Sequence, residues 1–261
     1  SYARNNGYGM KGLAYNADMK VISPFNGGSY QLANAIAYAV TVTSPGDVIL
    51  LEQQASRSGD YCPVEYWADV YTAIANATAA GRIVIEPAGN GYTDLDDASW
   101  GGIFDRSVRD SGAIIVGAGN AAFRSRAAFS DYGSRVDIQG WGDSSVATVG
   151  YGGLYGATPT NEYTSTFSGT SSASALSAGV AAAVQSYYQR TFGAHLPPLE
   201  LRAHLVIYGQ TQTYGVAGNI GPLPNASNTV ANLVPEPSLT LILFALLASA
   251  SRRNVNLRPL R

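Results

Sequence analysis

Residues 81–91 read Gly81-Arg82-Ile83-Val84-Ile85-Glu86-Pro87-Ala88-Gly89-Asn90-Gly91. A glycine turn leads into a short β-branched run that stops at a Pro/Gly/Asn cluster, the pattern of a strand buried on both faces and followed by a loop. The pattern recurs on either side. Upstream, Ser44-Pro45-Gly46-Asp47 turns into Val48-Ile49-Leu50-Leu51, and residues 19–25 (MKVISPF) form an apolar run ending at Asn26-Gly27-Gly28. Downstream lie two further strands, 113–116 and 136–138. Helical patterns alternate with them: 29–42, opening on a Ser29 cap with Leu32, Ile36 and Val40 at four-residue spacing; 63–80; and 199–208, after Pro197-Pro198. Apolar strands joined through helices make a parallel sheet covered on both faces, so the fold class is α/β. In such sheets ligands bind outside the carboxyl ends of the strands. Those ends are residues 24–28, 52–54, 88–91 and 117–120.

Composition narrows the function. Of 261 residues, 46% are hydrophobic and 13% charged, with 16 basic against 18 acidic, which excludes a disordered chain and makes a nucleic-acid partner improbable. Cys62 is the only cysteine, so no internal disulfide is possible. It reads as a half-buried thiol at the start of a helix. Low charge with 14 Arg against 2 Lys, and abundant Gly, Ser, Thr, Tyr and Asn, is the composition of an exported enzyme.

Residues 168–189 (SGTSSASALSAGVAAAVQSYYQ) read as a helix whose small side chains allow close packing on the sheet; their many serines argue against a membrane span. A serine at the amino end of such a helix lies in the positive end of the helix dipole, near free N–H groups that stabilise an oxyanion. Other local patterns carry less. Gly7-Tyr8-Gly9-Met10-Lys11-Gly12 has dinucleotide-loop spacing but neither follows a strand nor opens a helix. Asp94, Asp96 and Asp97 lack the later glycine and bidentate glutamate of a calcium loop, so no metal or cofactor is assigned.

Gly169-Thr170-Ser171-Ser172-Ala173-Ser174 resembles the GTSMA(S/T)P signature around the nucleophile of subtilisin-like serine peptidases, the subtilases, with Ser172 for Met and Ala175 for Pro. Residues 87–91 resemble the family's AAGNxG segment. Residues 116–120 (VGAGN) and 128–142 (AFSDYGSRVDIQGWG) fall in family order between them, and the likeness runs from about Asn5 to Pro224. It implies a three-layer subtilisin-like fold with a mostly parallel sheet flanked by helices. It further implies that Ser171 is the nucleophile, that the Asn90 side chain with the Ser171 N–H binds the oxyanion, and that a peptide or protein substrate contacts Leu51, Glu52, Gln53, Ala118, Gly119 and Asn120. The family more often shows a Ser-Leu-Gly-Gly type of loop where this chain has Glu52-Gln53-Gln54.

A serine hydroxyl needs a base, and the base an orienting group. The family places its Asp and His in D-(S/T)-G and HGT segments ahead of the Asn-bearing strand, and neither segment is present. His195 and His204 both follow Ser171 and lack that context. Residues 6–14 (NGYGMKGLA) resemble the loop that follows the HGT helix in the family, so the expectation is a chain cut on its amino side, nearly inactive as it stands. The alternative is a pseudo-peptidase that binds peptides at the cell surface.

Residues 234–253 run Val234-Pro235-Glu236-Pro237-Ser238, then LTLILFALLASAS, then Arg252-Arg253. As a helix the apolar stretch spans ~20 Å, short of the ~30 Å hydrocarbon core. The three-part order resembles the PEP-CTERM sorting signal of Gram-negative bacteria. It implies export to the cell envelope or medium, transient membrane association through the tail, and an exosortase-like processing enzyme as partner. The expected organisation is a peptidase portion at 1–224, a linker at 225–233 and a sorting tail at 234–261.

Overall fold

The computed structural model describes residues 7, 9–143, 146–150, 152, 154 and 162–234. The chain divides into two compact units, residues 1–231 and 232–261. All elements below lie in the first. The apolar stretch and basic cluster of the tail lie outside the described residues.

A small hairpin of β1 (Phe25–Asn26) and β2 (Ser29–Tyr30) precedes α1 (Leu32–Thr41) and β3 (Val48–Leu50). A second hairpin, β4 (Ala55–Arg57) with β5 (Asp60–Cys62), leads through a 3-10 turn (Val64–Tyr66) into α2 (Ala68–Ala79) and β6 (Ile83–Pro87). Then follow β7 (Ile114–Gly119), β8 (Ile138–Trp141), the antiparallel pair β9 (Val146–Val149) and β10 (Tyr163–Phe167), and helices α3 (Gly169–Phe192), α4 (Pro198–Ile207) and α5 (Ala226–Ala231). The central sheet has the order β3-β6-β7-β8, and every pair in it is parallel, with Ile49 beside Val84, Ile85 beside Ile114 and Val116 beside Ile138.

The register partners Ile49 and Val84 join Leu32 and Ile36 of α1 and Val70 and Ile74 of α2 in one buried cluster. Alternate strand residues face the other way, where α3 packs across all four strands. Fully burying each such aliphatic side chain is worth about 1.5–3 kcal/mol, so both layers are held by apolar burial. The composition of α3 has a specific cause. A Cβ on Gly140 of β8 would sit 2.4 Å from the Ala173 carbonyl oxygen, so helix and strand approach through bare backbone. The helix ends at Gly193, whose φ of 71° is the left-handed stop that glycine adopts without penalty. One charged cluster lies inside: Arg135, fully buried, reaches Glu65 at 2.8 Å and Asp137 at 2.9 Å, tying the 3-10 turn to the segment before β8.

Several local expectations are corrected. Residues 19–23 form no strand, and Met19 and Val21 are exposed, because nothing among the described residues pairs with this run. Ser29 belongs to β2 rather than capping α1, whose N-cap is Gln31. The helix read over 63–80 is broken at Trp67, whose φ/ψ of −74°/129° is extended. Cys62 is fully buried at the end of β5, not half-buried at a helix start, and burial pushes its thiol up to about 12. Part of the stretch read as a linker folds as α5, which buries Thr229.

Candidate active site

The carboxyl ends of β3 and β6 deliver residues 52–54 and 88–91 to the amino end of α3. The helix is opened by three fixed contacts. Gly169 N–H donates to the Gly142 carbonyl at 2.9 Å, Thr170 N–H donates to Asn90 Oδ1 at 2.9 Å, and the Thr170 hydroxyl donates to the same Oδ1 at 3.0 Å. Ser168, the N-cap, makes no side-chain cap, so the Asn90 amide oxygen does part of that work from another element.

With both Thr170 donors on Oδ1, the Asn90 amide presents Nδ2 as its free donor. A Cβ on Gly169 would lie 3.5 Å from that nitrogen, which places Nδ2 alongside the first turn. Ser171 is half-buried in the same turn, where helix geometry leaves its N–H without an acceptor in the preceding turn. A side-chain N–H and a backbone N–H thus flank one hydroxyl. That arrangement stabilises negative charge developing on an oxygen beside it.

The Asn90 loop is itself held from three sides. Asn90 N–H donates to Gln54 Oε1 at 3.0 Å, and Gly89 N–H donates to the Thr170 hydroxyl at 3.3 Å. From below, Asp131 N–H donates to the Gly89 carbonyl at 3.0 Å, while Asp131 Oδ1 accepts Gly91 N–H and Thr93 N–H, both at 2.8 Å. Its second oxygen is buried and has no partner among the described residues. Burial raises the Asp131 pKa to about 7; Asp60 adds to the rise, and the two N–H donors and Arg126 oppose it. Gly89, at φ 114°, is required here because a Cβ would meet Asp131 Oδ2 at 2.1 Å.

Glu52 faces the first turn of α3 directly. The Ser174 hydroxyl lies 3.1 Å from Glu52 Oε1 and 2.9 Å from the Ser171 carbonyl oxygen. Although the residue as a whole is exposed, its carboxyl group is crowded, and lost hydration raises its pKa to about 7 against the lowering by the Ser174 hydroxyl.

The other expected contact residues divide. Gln53 is half-buried and accepts the Tyr30 hydroxyl at 3.3 Å. Leu51 is buried, with its N–H on the Ile85 carbonyl at 2.9 Å. Ala118 donates to Ser130 Oγ and accepts from Ala127 N–H, each at 2.9 Å, and the Gly119 carbonyl accepts Gly142 N–H at 3.0 Å. Each of these backbone groups has an internal partner. Asn120 uses its Oδ1 on Ala122 N–H and Phe123 N–H, both at 3.0 Å, and its Nδ2 on Asp143.

Neither histidine reaches Ser171. A Cβ on Gly46 would lie 2.3 Å from His195 Nδ1, so His195 packs at the amino end of β3, the end of the strands opposite the site. His204 stacks on Tyr208 in α4, and Arg202 of that helix bonds Asp110 and the Ala113 carbonyl, just before β7 begins. Among the described residues no helix is long and apolar enough to cross a membrane, and no group of three or more His, Cys, Asp or Glu is placed to hold a metal.

The fold has solved counterparts. A protease from Pseudoalteromonas arctica PAMC 21717 superposes with a TM-score of 0.64 at 22% identity, covering 88% of this chain and 67% of that one. Fervidolysin from Fervidobacterium pennivorans, a keratinolytic enzyme related to subtilisin, gives 0.64 at 19% identity, covering 90% and 35%. In sequence the chain is 28% identical over 193 residues to the "Extracellular protease" of Xanthomonas campestris pv. campestris, which takes in 70% of this chain and 30% of that protein. The chain therefore spans about a third of the length of that curated relative. The family model that matches residues 1–216 includes every element from the first hairpin to α4, and with it the Asn90 loop and the Ser171 turn; on that match the chain belongs to the subtilase family, Peptidase S8.

Proposed function

We propose that the chain acts in serine-type hydrolysis of peptide bonds through an acyl-enzyme, with Ser171 as nucleophile and the Asn90 side chain and Ser171 N–H as the oxyanion donors. The observation that carries this reading is the pair of Thr170 donors on Asn90 Oδ1, because it fixes the amide so that Nδ2 is available beside Ser171. Ser171 Oγ bonds to the acyl carbon, the carbonyl pair moves onto oxygen, and the amine leaves with a proton; water then reverses the sequence and frees the acid. The substrate class is a peptide or protein, and the name of the Xanthomonas relative supports export.

A second reading, a binding protein that keeps the cleft without the chemistry, is favoured by the placement of both histidines away from Ser171. Fluorophosphonate labelling separates the two. The chain is incubated with the probe between pH 5 and 9 and the modified residue located by mass spectrometry. A single adduct at Ser171, lost in Ser171→Ala, supports hydrolysis. No adduct in that range, either with this chain or with a version extended upstream through any Asp- and His-bearing segments, supports the binder and defeats the first reading.

A further inference from the structure

Chemistry calls for an asparagine at 90, and packing calls for a glycine at 91. Asn90 supplies the amide whose Oδ1 accepts the Thr170 N–H at 2.9 Å and the Thr170 hydroxyl at 3.0 Å. A Cβ on Gly91 would lie 2.7 Å from both the nitrogen and the carbonyl oxygen of Tyr61 in β5, so only glycine lets the loop lie against that hairpin. The two demands together put an Asn-Gly pair at the site, with both residues half-buried and within reach of water. That pair is chemically labile. Glycine has no Cβ to shield its nitrogen, which attacks the carboxamide carbon of the preceding asparagine. A new N–C bond closes a five-membered imide, and the glycine proton departs with the amide nitrogen as ammonia. Water then adds to one imide carbonyl, a C–N bond breaks, and the product is aspartate or isoaspartate.

We propose that Asp131 guards the Asn90 amide against this ring closure and is thereby a positioning residue of the oxyanion site. Its Oδ1 accepts Gly91 N–H and Thr93 N–H, both at 2.8 Å, and its N–H donates to the Gly89 carbonyl at 3.0 Å, so one residue grips the loop on both sides of Asn90. The attacking nitrogen is thus turned to Asp131, while the carboxamide is turned to Thr170 of α3. Ring closure requires both sets of bonds to open at once. Asp131 is fully buried, so water does not compete for its Oδ1. Aspartate at 90 would put a carboxylate where the oxyanion forms, isoaspartate would lengthen the backbone by one carbon, and either would delete the Nδ2 donor. That consequence rests on the reading of Asn90 as oxyanion donor; the ring chemistry does not.

The described residues hold a second Asn-Gly pair that has no guard. Asn26-Gly27 forms the tip of the β1–β2 hairpin, with φ of 56° at Gly27 and 81° at Gly28, and nothing lies within 4 Å of a Cβ built on either glycine. Both Asn26 and Gly27 are exposed, and among the described residues neither the Asn26 side chain nor Gly27 N–H has a hydrogen-bond partner. Two strands of two residues each make a marginal hairpin, so the tip opens readily to the geometry that ring closure needs. The same dipeptide in opposite surroundings makes Asn26 the residue that deamidates and Asn90 the one that is kept.

The test needs no turnover. Wild-type chain and variants are incubated at pH 8 and 37 °C, and peptide mapping by mass spectrometry follows the exchange of an amide for a carboxyl at Asn26 and at Asn90. In the wild type Asn26 should be modified first, and the Gly91 amide should exchange its hydrogen more slowly than the Gly27 amide. Asp131→Ala removes two hydrogen bonds to a charged acceptor, so modification of Asn90 should speed up by about 10²-fold while Asn26 keeps its rate. Asp131→Asn leaves an oxygen for both N–H groups and should restore protection. Arg135→Met, which breaks ion pairs elsewhere in the interior, should leave Asn90 slower than in Asp131→Ala; equal rates in those two variants would show that general loosening suffices and would overturn the guard. So would equal rates at Asn26 and Asn90 in the wild type, or a wild-type Gly91 amide that exchanges as fast as Gly27, an outcome that requires no variant to fold. A chain that never labels at Ser171 would defeat the proposed hydrolysis and leave these rates, and the role of Asp131 they report, unaffected.

Discussion

Replacing Asp131 by Asn should remove a pH-dependent weakness beneath the Asn90 loop. The buried Asp131 carboxyl titrates at about 7, against 3.8 for an unperturbed aspartate. A carboxyl whose pKa is raised by folding adds stability in its protonated form. That contribution is complete below pH 3.8, declines as pH climbs, and is gone once pH passes 7. The whole swing is about 4 kcal/mol at 1.36 kcal/mol per pH unit, and about 3 kcal/mol of it falls between pH 5 and 8. Asn keeps one oxygen to accept Gly91 N–H and Thr93 N–H, and its amide nitrogen replaces the oxygen that now has no partner. Any fixed penalty of that buried amide, about 1–3 kcal/mol, is the same at both pH values and cancels in the comparison. Glu52 titrates in the same range but is present in both proteins, so it cancels too. The assay is urea unfolding of both proteins at pH 5, 6, 7 and 8. The stability of Asp131→Asn relative to wild type should rise by about 3 kcal/mol across the series. A difference constant within about 0.5 kcal/mol would show that the carboxyl does not titrate there and that the burial reasoning is wrong.

Asn90→Ala removes the side-chain donor and should lower turnover by about 10²–10³ with little change in substrate affinity, read from kcat and KM on a peptide ester. Arg135→Met strands Glu65 in the interior, while Asp137 still faces Arg106 and Arg202; destabilisation of about 3–5 kcal/mol by denaturant titration is expected, and a loss below 1 kcal/mol would contradict it. Gly169→Ala puts a side chain at φ 91°, with space around it but a backbone conformation that only glycine adopts freely. It should cost about 1–3 kcal/mol by thermal unfolding and slow Ser171 labelling, because relaxing the strain pulls Thr170 away from Asn90.

All four sheet strands were legible as short apolar runs bounded by turn residues, the last displaced, read at 136–138 and found at Ile138–Trp141, because a parallel strand buried on both faces has no other way to appear in sequence. The run at 19–25 has the same composition and fails as a strand, since composition reports burial potential and not the presence of a neighbour to pair with. The β4–β5 hairpin went unread: Ser58-Gly59, at φ 53° and 98°, is a two-residue turn with both centres left-handed, but the strands around it are three residues long and carry charged or polar side chains. Helix α3 was legible in extent because small residues over 20 positions suit little else. The reason for those small residues, the backbone contact between Gly140 and Ala173, belongs to the fold and not to the helix.

The site divides along the same line. Ser171 and Asn90 sit in short motifs, so resemblance singled them out. Thr170, Asp131 and Glu52 act through partners 80, 40 and 122 residues away in sequence, and no local pattern encodes those meetings. One signal was available. Where subtilases more often show a Ser-Leu-Gly-Gly type of loop, this chain has Glu52-Gln53-Gln54, three polar side chains that follow β3 and meet the first turn of α3. Exchanging a small loop for one with a carboxyl group beside a serine costs hydration energy that a neutral side chain would avoid. The carboxyl meets part of that cost through the Ser174 hydroxyl at 3.1 Å, and lost hydration raises its pKa to about 7. A departure from the family pattern at that position therefore sets a titrating group against the first turn of α3.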